Sequence, residues 1–219
     1  MTIGLPIPLM LVLYAIGGDS VRALAPTFLA PGIILFGFAL LTDSAGMILA
    51  QDREKALLSR LLTAPLRATD FIAAYSVPYI PVALLHIVLV FVVGALLGLE
   101  IYGNLGYVFL ILFVMSIGYI GMGMILGSLF TYTQAPIVWI VVMLLTVFGG
   151  AWMDLEEIGG GIKTAMDFLP FSHALDASRD VMEHGLGFRC IAEDFYWVLG
   201  YTVAFFAIGV FLFRRRMVE

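Results

Sequence analysis

The residues of this chain that could do chemistry are charged side chains gathered into a few short stretches, of which the densest is Asp52-Arg53-Glu54-Lys55. This tetrad opens the segment DREKALLSRLLTAPLR, in a chain that is 62% hydrophobic with a mean hydropathy of +1.07. Chains of such composition lie in lipid rather than in water. The chemistry indicated is binding, because this charged segment is where the protein can meet a soluble partner.

Motifs for catalysis or nucleotide binding are absent from the sequence. It contains no G-x-x-x-x-G-K-[ST] phosphate loop, no H-E-x-x-H or Cys/His cluster and no G-x-S-x-G elbow. The single Cys190 cannot form an intrachain disulfide, and the formal net charge of −5 argues against a nucleic-acid partner. We therefore predict a protein that is not an enzyme, has no metal site and holds no cofactor of its own.

The elements that must position the charged segment are six apolar stretches, which we interpret as membrane-spanning helices. The chain is thus predicted to be an all-α membrane protein, with one transmembrane domain over residues 1–219. The third stretch contains Pro78 and Pro81, and the first is short, which indicates either a short first span or a longer form upstream. The predicted spans are about 3–17, 28–50, 71–99, 105–130, 135–151 and 195–213.

The distribution of basic residues predicts the orientation of these spans. Seven of the eleven basic residues fall on one side, and acidic residues dilute the other four on the opposite side. Basic loops remain in the cytoplasm. We therefore expect both termini and the Asp52 segment to be cytoplasmic in the plasma membrane, and residues 19–25 and 152–194 to face outside. The seven are Arg53, Lys55, Arg60, Arg67, Arg214, Arg215 and Arg216.

The two long hydrophilic stretches differ in kind. Residues 52–66 carry leucines at helical spacing and read as an amphipathic helix ended by Pro65. This helix could lie on the membrane surface or insert its leucine face into a groove on a soluble partner, and its mixed charge favours the partner. Residues 163–187 are too apolar for a free loop, so we predict a half-buried or re-entrant pair of short helices on the outer side.

Polar residues inside the predicted spans are costly in lipid and are therefore functional candidates. Asp43 and Ser44 lie in the inner half of the second span, where Asp43 could either cap or pair within the bundle or line a pathway. His86 in the third span could be a packing residue or part of the same pathway. Gln134 lies in the tight turn Thr131-Tyr132-Thr133-Gln134, where a turn cap is the simplest interpretation.

Glycine spacing also predicts close contacts between helices. Gly94 and Gly98 form one small-xxx-small pair, and Gly123 and Gly127 form another. Such pairs let two helix backbones approach closely. We favour this packing role for both pairs over a role in gating.

The segment DREKALLSRLLTAPLRATDFIAAYSVPY resembles the cytoplasmic stretch of ABC-2 type transporter permeases, which typically reads E-R-E-x-G-T-L-E-R-L-L-x-T-P. The chain departs from that pattern at Ala56, Leu57 and Ser59. Further likenesses follow in the family's order at Ala30-Pro31-Gly32-Ile33, Thr133-Gln134-Ala135 and Leu169-Pro170-Phe171 through Arg179. The matching coupling residues are Asp52, Arg53, Glu54, Leu58, Arg60, Leu61, Leu62 and Pro65.

The resemblance implies one half of an export channel. Two permeases would pair in the bilayer, each docked on a separate ATP-binding subunit that holds ATP and magnesium, and the cytoplasmic helix would be the coupling helix. The outer re-entrant helices would close the exit, which makes Leu169, Pro170 and Arg179 gate candidates alongside Asp43, Ser44, His86 and Gln134. Members of this family usually begin with a cytoplasmic amphipathic helix, and from the short first span we expect either a shortened member, with that helix missing or truncated, or a sequence that starts late. The implied cargo is amphipathic, lipid-like or polysaccharide.

Other functions remain compatible with the residues alone. A stand-alone secondary transporter or channel could work through Asp43 and His86. An intramembrane enzyme would need Asp43 and Asp70 within hydrogen-bonding reach of each other. A haem-export permease of cytochrome maturation is a relative of the leading hypothesis, and the outer L-P-F segment favours the drug, lipid and polysaccharide branch.

Overall fold

A computed structural model describes residues 4–18, 20–55, 68–155 and 159–217. Over these residues the chain is helical and forms no strand. This confirms the predicted all-α class. The helices are α1 (Pro6–Gly17), α2 (Pro26–Glu54), α3 (Ala68–Ser76), α4 (Tyr79–Leu96), α5 (Leu105–Leu129), α6 (Ala135–Thr146, continued by the π-helical turn Val147–Ala151), α7 (Gly160–Met166), α8 (Pro170–His184) and α9 (Ala192–Met217).

Four stretches in the described part of the chain are long and apolar enough to cross a membrane: Pro26–Glu54, Ile72–Leu96, Leu105–Leu129 and Ala192–Arg215. The helices Pro6–Gly17 and Ala135–Ala151 are apolar but shorter. Helix α2 is the central element, because 72% of its apolar window is buried inside the protein, against 17% of the window in Ala192–Arg215. It packs against α1, α4, α5 and α6.

The third predicted span is broken at Pro78. Helix α3 ends at Ser76 and α4 begins at Tyr79, joined by a turn in which Ile80 N donates to Val77 O at 3.1 Å. Proline lacks a backbone N–H and clashes with the preceding turn, so a helix ends before it. Pro81 is accommodated because it lies in the first turn of α4, where the N–H groups have no helical acceptor.

The glycine prediction is correct for one pair and wrong for the other. A Cβ atom on Gly127 would lie 2.7 Å from Gly46 O, and one on Gly123 would lie 3.0 Å from Thr42 O, so both sit at the close crossing of α5 and α2. Gly98 instead lies beyond α4 with φ of 87°. Leu99 N donates to Gly94 O, and Gly98 N donates to Ala95 O, which is the Schellman ending of a helix. Gly98 is therefore the glycine that ends α4, and this explains why it follows Gly94 by four residues.

The helices meet at two polar ends. One, which we call the basic end, carries Arg53, Lys55, Arg214 and Arg215. The other, the acidic end, carries Asp154, Asp176, Asp180, Glu183 and Asp194. Helix α6 joins the two ends, because the turn before it contacts Glu54 and its last residue, Ala151, contacts Arg179.

Gly127→Ala should lower the free energy of unfolding by about 1–3 kcal/mol, because the added methyl group would lie 2.6 Å from Leu49 Cβ in a packed crossing. Gly200→Ala is the matched control, since nothing lies within 4 Å of its Cβ position. Unfolding of both variants in detergent micelles checks the prediction. Equal stability of the two variants would contradict the close crossing of α2 and α5.

Candidate functional site

Three consecutive residues at the end of α2 form what we call the basic-end cluster: Asp52, Arg53 and Glu54. The guanidinium of Arg53 donates to the carbonyl oxygens of Ser128 and Phe130, the latter at 2.7 Å. Helix α5 ends at Leu129, so these carbonyl groups have lost their helical donors. A cation at this position also interacts favourably with the negative end of the helix dipole.

The two carboxylates of the cluster bind different elements. Glu54 Oε1 accepts a hydrogen bond from Tyr132 N at 2.8 Å, in the turn before α6. Asp52 Oδ2 accepts one from the Tyr75 hydroxyl of α3 at 2.9 Å. The end of α2 is therefore held to α3, to α5 and to the turn before α6 at once.

The predicted coupling residues thus divide into two groups. Asp52, Arg53 and Glu54 bind partners within the chain, and sequence reasoning did not foresee those contacts because the partners lie up to 78 residues away. Asp52 to Glu54, predicted to open the amphipathic helix, belong to α2 instead. The other predicted coupling residues lie outside the described residues, as does the rest of that helix, and their role stays a prediction. They are Leu58, Arg60, Leu61, Leu62 and Pro65.

Gln134 lies in the turn between α5 and α6, as the sequence indicated. Its side-chain Oε1 accepts from Thr131 N at 3.3 Å, and its own N–H donates to Thr131 O at 3.0 Å. The residue is exposed. It shapes the turn that also carries Tyr132, the partner of Glu54.

Asp43 is half-buried in α2, and its Oδ1 atom is buried with no hydrogen-bond partner among the described residues. The neighbouring Ser44 hydroxyl donates to Leu40 O of its own helix at 3.0 Å, so it does not bind the carboxylate through that proton. The pairing proposed for Asp43 within the bundle is therefore not found for Oδ1.

His86 does not share a site with Asp43. Its imidazole is buried against Gly37, with Nε2 3.4 Å from Ile33 O and the ring 6.0 Å from the Phe38 ring. Gly37 and Asp43 are six residues apart on α2, which separates them by about 120° around the helix. The two candidates for a stand-alone transport pathway thus lie on different faces.

Asp70 is also remote from Asp43. The bond between Asp52 and Tyr75 fixes the level of α3 against α2. From that level Asp70 lies five residues toward the basic end and Asp43 nine residues the other way, which separates them by about 20 Å along the helix axes. The acid pair needed for an intramembrane enzyme is therefore not formed.

At the acidic end, Leu169 and Pro170 begin α8. Leu169 precedes the helix and Pro170 is its first residue, which suits a residue without an N–H. The Ser172 hydroxyl donates to Met166 O at 2.8 Å and so closes the turn from α7. The predicted pair of short helices is present, and neither Leu169 nor Pro170 lies beside Arg179, which is at the other end of α8.

Arg179 is 7% exposed and binds backbone carbonyl groups of two other elements. Its Nε donates to Phe28 O of α2 at 3.2 Å, and Nη2 donates to Gly150 O at 2.8 Å and Ala151 O at 3.3 Å at the end of α6. The guanidinium carbon lies 3.5 Å from the centre of the Phe28 ring. Arg179 therefore fastens α8 to α2 and α6.

Nearby carboxylates balance the positive charge of the buried Arg179 guanidinium. Burial lowers the pKa of Arg179 to about 10, and the nearby carboxylates of Asp176, Glu183 and Asp154 oppose that decrease. Arg22 bridges Asp154 at 3.2 Å and Glu183 at 2.8 Å, which joins the loop before α2 to the same cluster. These residues line a polar cavity of about 270 Å³.

Sequence reasoning missed a further contact at this end. His173 Nδ1 lies 2.7 Å from Asp194 Oδ1, and its Nε2 lies 2.8 Å from Asp167 O. The ring stacks on Trp197 with 5.2 Å between centroids. The bond to Asp194 raises the pKa of His173. The pair holds the start of α8 to the start of α9, and no spacing in the sequence signals it.

A sequence profile described as ABC-2 family transporter protein matches residues 6–211. The chain belongs to the ABC-2 family of transporter proteins. A curated relative, ABC transporter G family member 20 of Dictyostelium discoideum, is 24% identical over an alignment of 197 positions that covers 86% of this chain. The ABC-2 chain spans 27% of the length of that protein. No solved structure matches it.

Family membership confirms the resemblance seen in the sequence. With its apolar helices, the chain is a membrane protein and the membrane component of an ABC transporter. Its candidate functional sites are the basic-end cluster, Asp43, and Arg179 with the carboxylates around it. They lie at one end, inside and at the other end of the same helix bundle.

Arg179→Met should lower the free energy of unfolding by about 2–4 kcal/mol, because it leaves three buried carbonyl groups without their donor. Arg189→Met is the control, since Arg189 is an exposed arginine at the same end. Thermal unfolding of both variants in detergent measures the difference. A stable Arg179→Met protein would show that the fastening role is wrong.

Proposed function

We propose that this ABC-2 protein is the permease subunit of an ATP-driven exporter, docked through its basic end on a separate ATP-binding subunit. The family match supports the partner, and the absence of a phosphate loop in the sequence supports placing ATP and magnesium in that partner. The expected cargo is amphipathic, lipid-like or polysaccharide, as the resemblance implies.

The observation that carries the proposal is the basic-end cluster. Residues 56–66, the remainder of the predicted docking helix 52–66, follow it directly in the chain. A displacement of that segment reaches the end of α2, and the bonds of Arg53 and Glu54 pass it to α5 and to the turn before α6. The cluster therefore acts as a mechanical link between the docking segment and the bundle.

The remaining parts of the proposal concern pairing and span number. One face of α6 exposes an apolar strip at helical spacing, which suits packing against a second permease copy. With α1 and α6 counted, the bundle has six spans, and α7 and α8 form a re-entrant cover over the exit. The strip consists of Ile137, Ile140, Val141, Leu144 and Phe148.

Leu61→Asp should abolish co-purification of the ATP-binding subunit, because it places a charge in the docking interface. Arg53→Met should keep that subunit but lower transport per ATP hydrolysed about fivefold or more, since the link to α5 is lost. Pull-down of tagged protein and transport in proteoliposomes measure the two effects. Arg214→Met, which removes an exposed arginine at the same end, is the control.

Two outcomes would overturn this assignment. A protein that purifies alone and supports pH-dependent flux in liposomes would be a stand-alone transporter. Unchanged transport per ATP in Arg53→Met would show that the cluster only holds the fold together.

Orientation has its own test, because Cys190 is the only cysteine and is exposed near the acidic end. With that end outside the plasma membrane and both termini cytoplasmic, a membrane-impermeant maleimide should label Cys190 in intact cells. In a Cys190→Ala background, Lys55→Cys should label only after permeabilisation. The reverse pattern would invert the topology.

A further inference from the structure

Asp43 is the one Asp, Glu, Lys or Arg residue within the six apolar stretches 3–17, 28–50, 71–99, 105–130, 135–151 and 195–213. A charged side chain in the bilayer is costly unless it is paired. The sequence of these stretches offers no Lys or Arg as a partner. In its ionised form this carboxylate therefore takes its counter-charge from outside the spans or from a ligand.

The structure leaves the carboxylate available. Its Oδ1 is buried and has no hydrogen-bond partner among the described residues, while the side chain as a whole is only half-buried. Leu40 and Met47, one turn to either side, are half-buried as well, and Ile48 is 48% exposed. Asp43 thus lies on a partly exposed side of α2, where its nearest neighbours Leu40 and Met47 are apolar and Ser44 and Gln51 are the other polar side chains.

An aromatic ring is bound to α2 about one turn from Asp43. The indole N–H of Trp139 in α6 donates to Ala39 O, and Ala39 is four residues, or about one turn, before Asp43. The imidazole of His86 is buried against Gly37 on a different face of α2. A carboxylate beside an indole and aliphatic side chains is the chemistry that binds a lipophilic cation.

We propose that Asp43 binds the positively charged group of an amphipathic organic cation, so that this class is the cargo rather than an anionic lipid or a polysaccharide. The binding step stands on the geometry around Asp43, and transport of that cation rests on the proposed exporter function. Asp43 supplies the charge, and the apolar face with Trp139 receives the hydrophobic body.

Tetraphenylphosphonium and tetraphenylborate test the proposal, because they share shape and hydrophobicity and differ in the sign of their charge. We expect the protein in neutral-lipid nanodiscs to bind the cation saturably and about tenfold or more tightly than the anion, after subtraction of empty nanodiscs. Asp43→Asn should lose about tenfold or more of the affinity for the cation. Asp43→Glu should retain most of it.

Ser44→Ala is the matched control, since the Ser44 hydroxyl is bound to its own helix. Unfolding temperatures verify that each variant is folded. If Asp43→Asn fails to fold, the proposal is tested by whether the wild-type protein binds the cation more tightly than the anion. Equal binding of the two ions, or wild-type affinity in folded Asp43→Asn, overturns the proposal.

ATP-driven uptake of tetraphenylphosphonium into proteoliposomes that contain the ATP-binding subunit separates the two hypotheses. Binding that depends on Asp43 without ATP-driven uptake leaves the site standing and overturns the exporter. Uptake that is unchanged in Asp43→Asn leaves the exporter standing and overturns the site.

Discussion

The bundle depends on two arginine side chains that satisfy carbonyl groups at the C-terminal ends of apolar helices. The last carbonyls of a helix have no donor within the helix, and lipid offers none. Arg53 supplies donors at the end of α5, and Arg179 supplies them at the end of α6. Because each arginine belongs to another helix, satisfying the backbone also fixes how the helices meet.

In this arrangement α2 is the central helix, to which the neighbouring helices are bound. Its middle crosses α5 at glycines, where a side chain would not fit, and its two ends are bound to neighbours at the basic end and the acidic end. Packed interfaces of this kind shift between discrete arrangements rather than deform continuously. Under the proposed function, a displacement at one end of α2 would be transmitted along the helix to the other end.

The two polar candidates of the interior, His86 and Asp43, have different surroundings against the same helix, α2. The imidazole of His86 is buried against α2, where the absence of a side chain on Gly37 leaves space for the ring. Asp43, less than two turns beyond Gly37 on α2, lies on a partly exposed side of that helix. Because His86 is buried, its role is packing. Because Asp43 is partly exposed, its carboxylate can bind a charged partner.

The sequence by itself determined the class of the protein, because apolar runs of bilayer length and clustered charge follow from composition and order alone. It also located the close contact at Gly123 and Gly127 and the turn at Gln134, since each is a local property of a few residues, but it predicted a continuous span across Pro78. It assigned Asp52, Arg53 and Glu54 to a docking surface, and it read Gly94 and Gly98 as a packing pair.

Only the tertiary structure decided the partners of the polar side chains. Arg179 binds Phe28 at a separation of 151 residues, and Glu54 binds the turn at Tyr132 from 78 residues away. The sequence could not distinguish the face of Asp43 from that of His86, nor reveal that His173 meets Asp194. The physical reason is that hydrogen bonds and burial depend on which helix lies next to which, and in a bundle of uniformly apolar helices that choice is made by the fit of side chains in three dimensions.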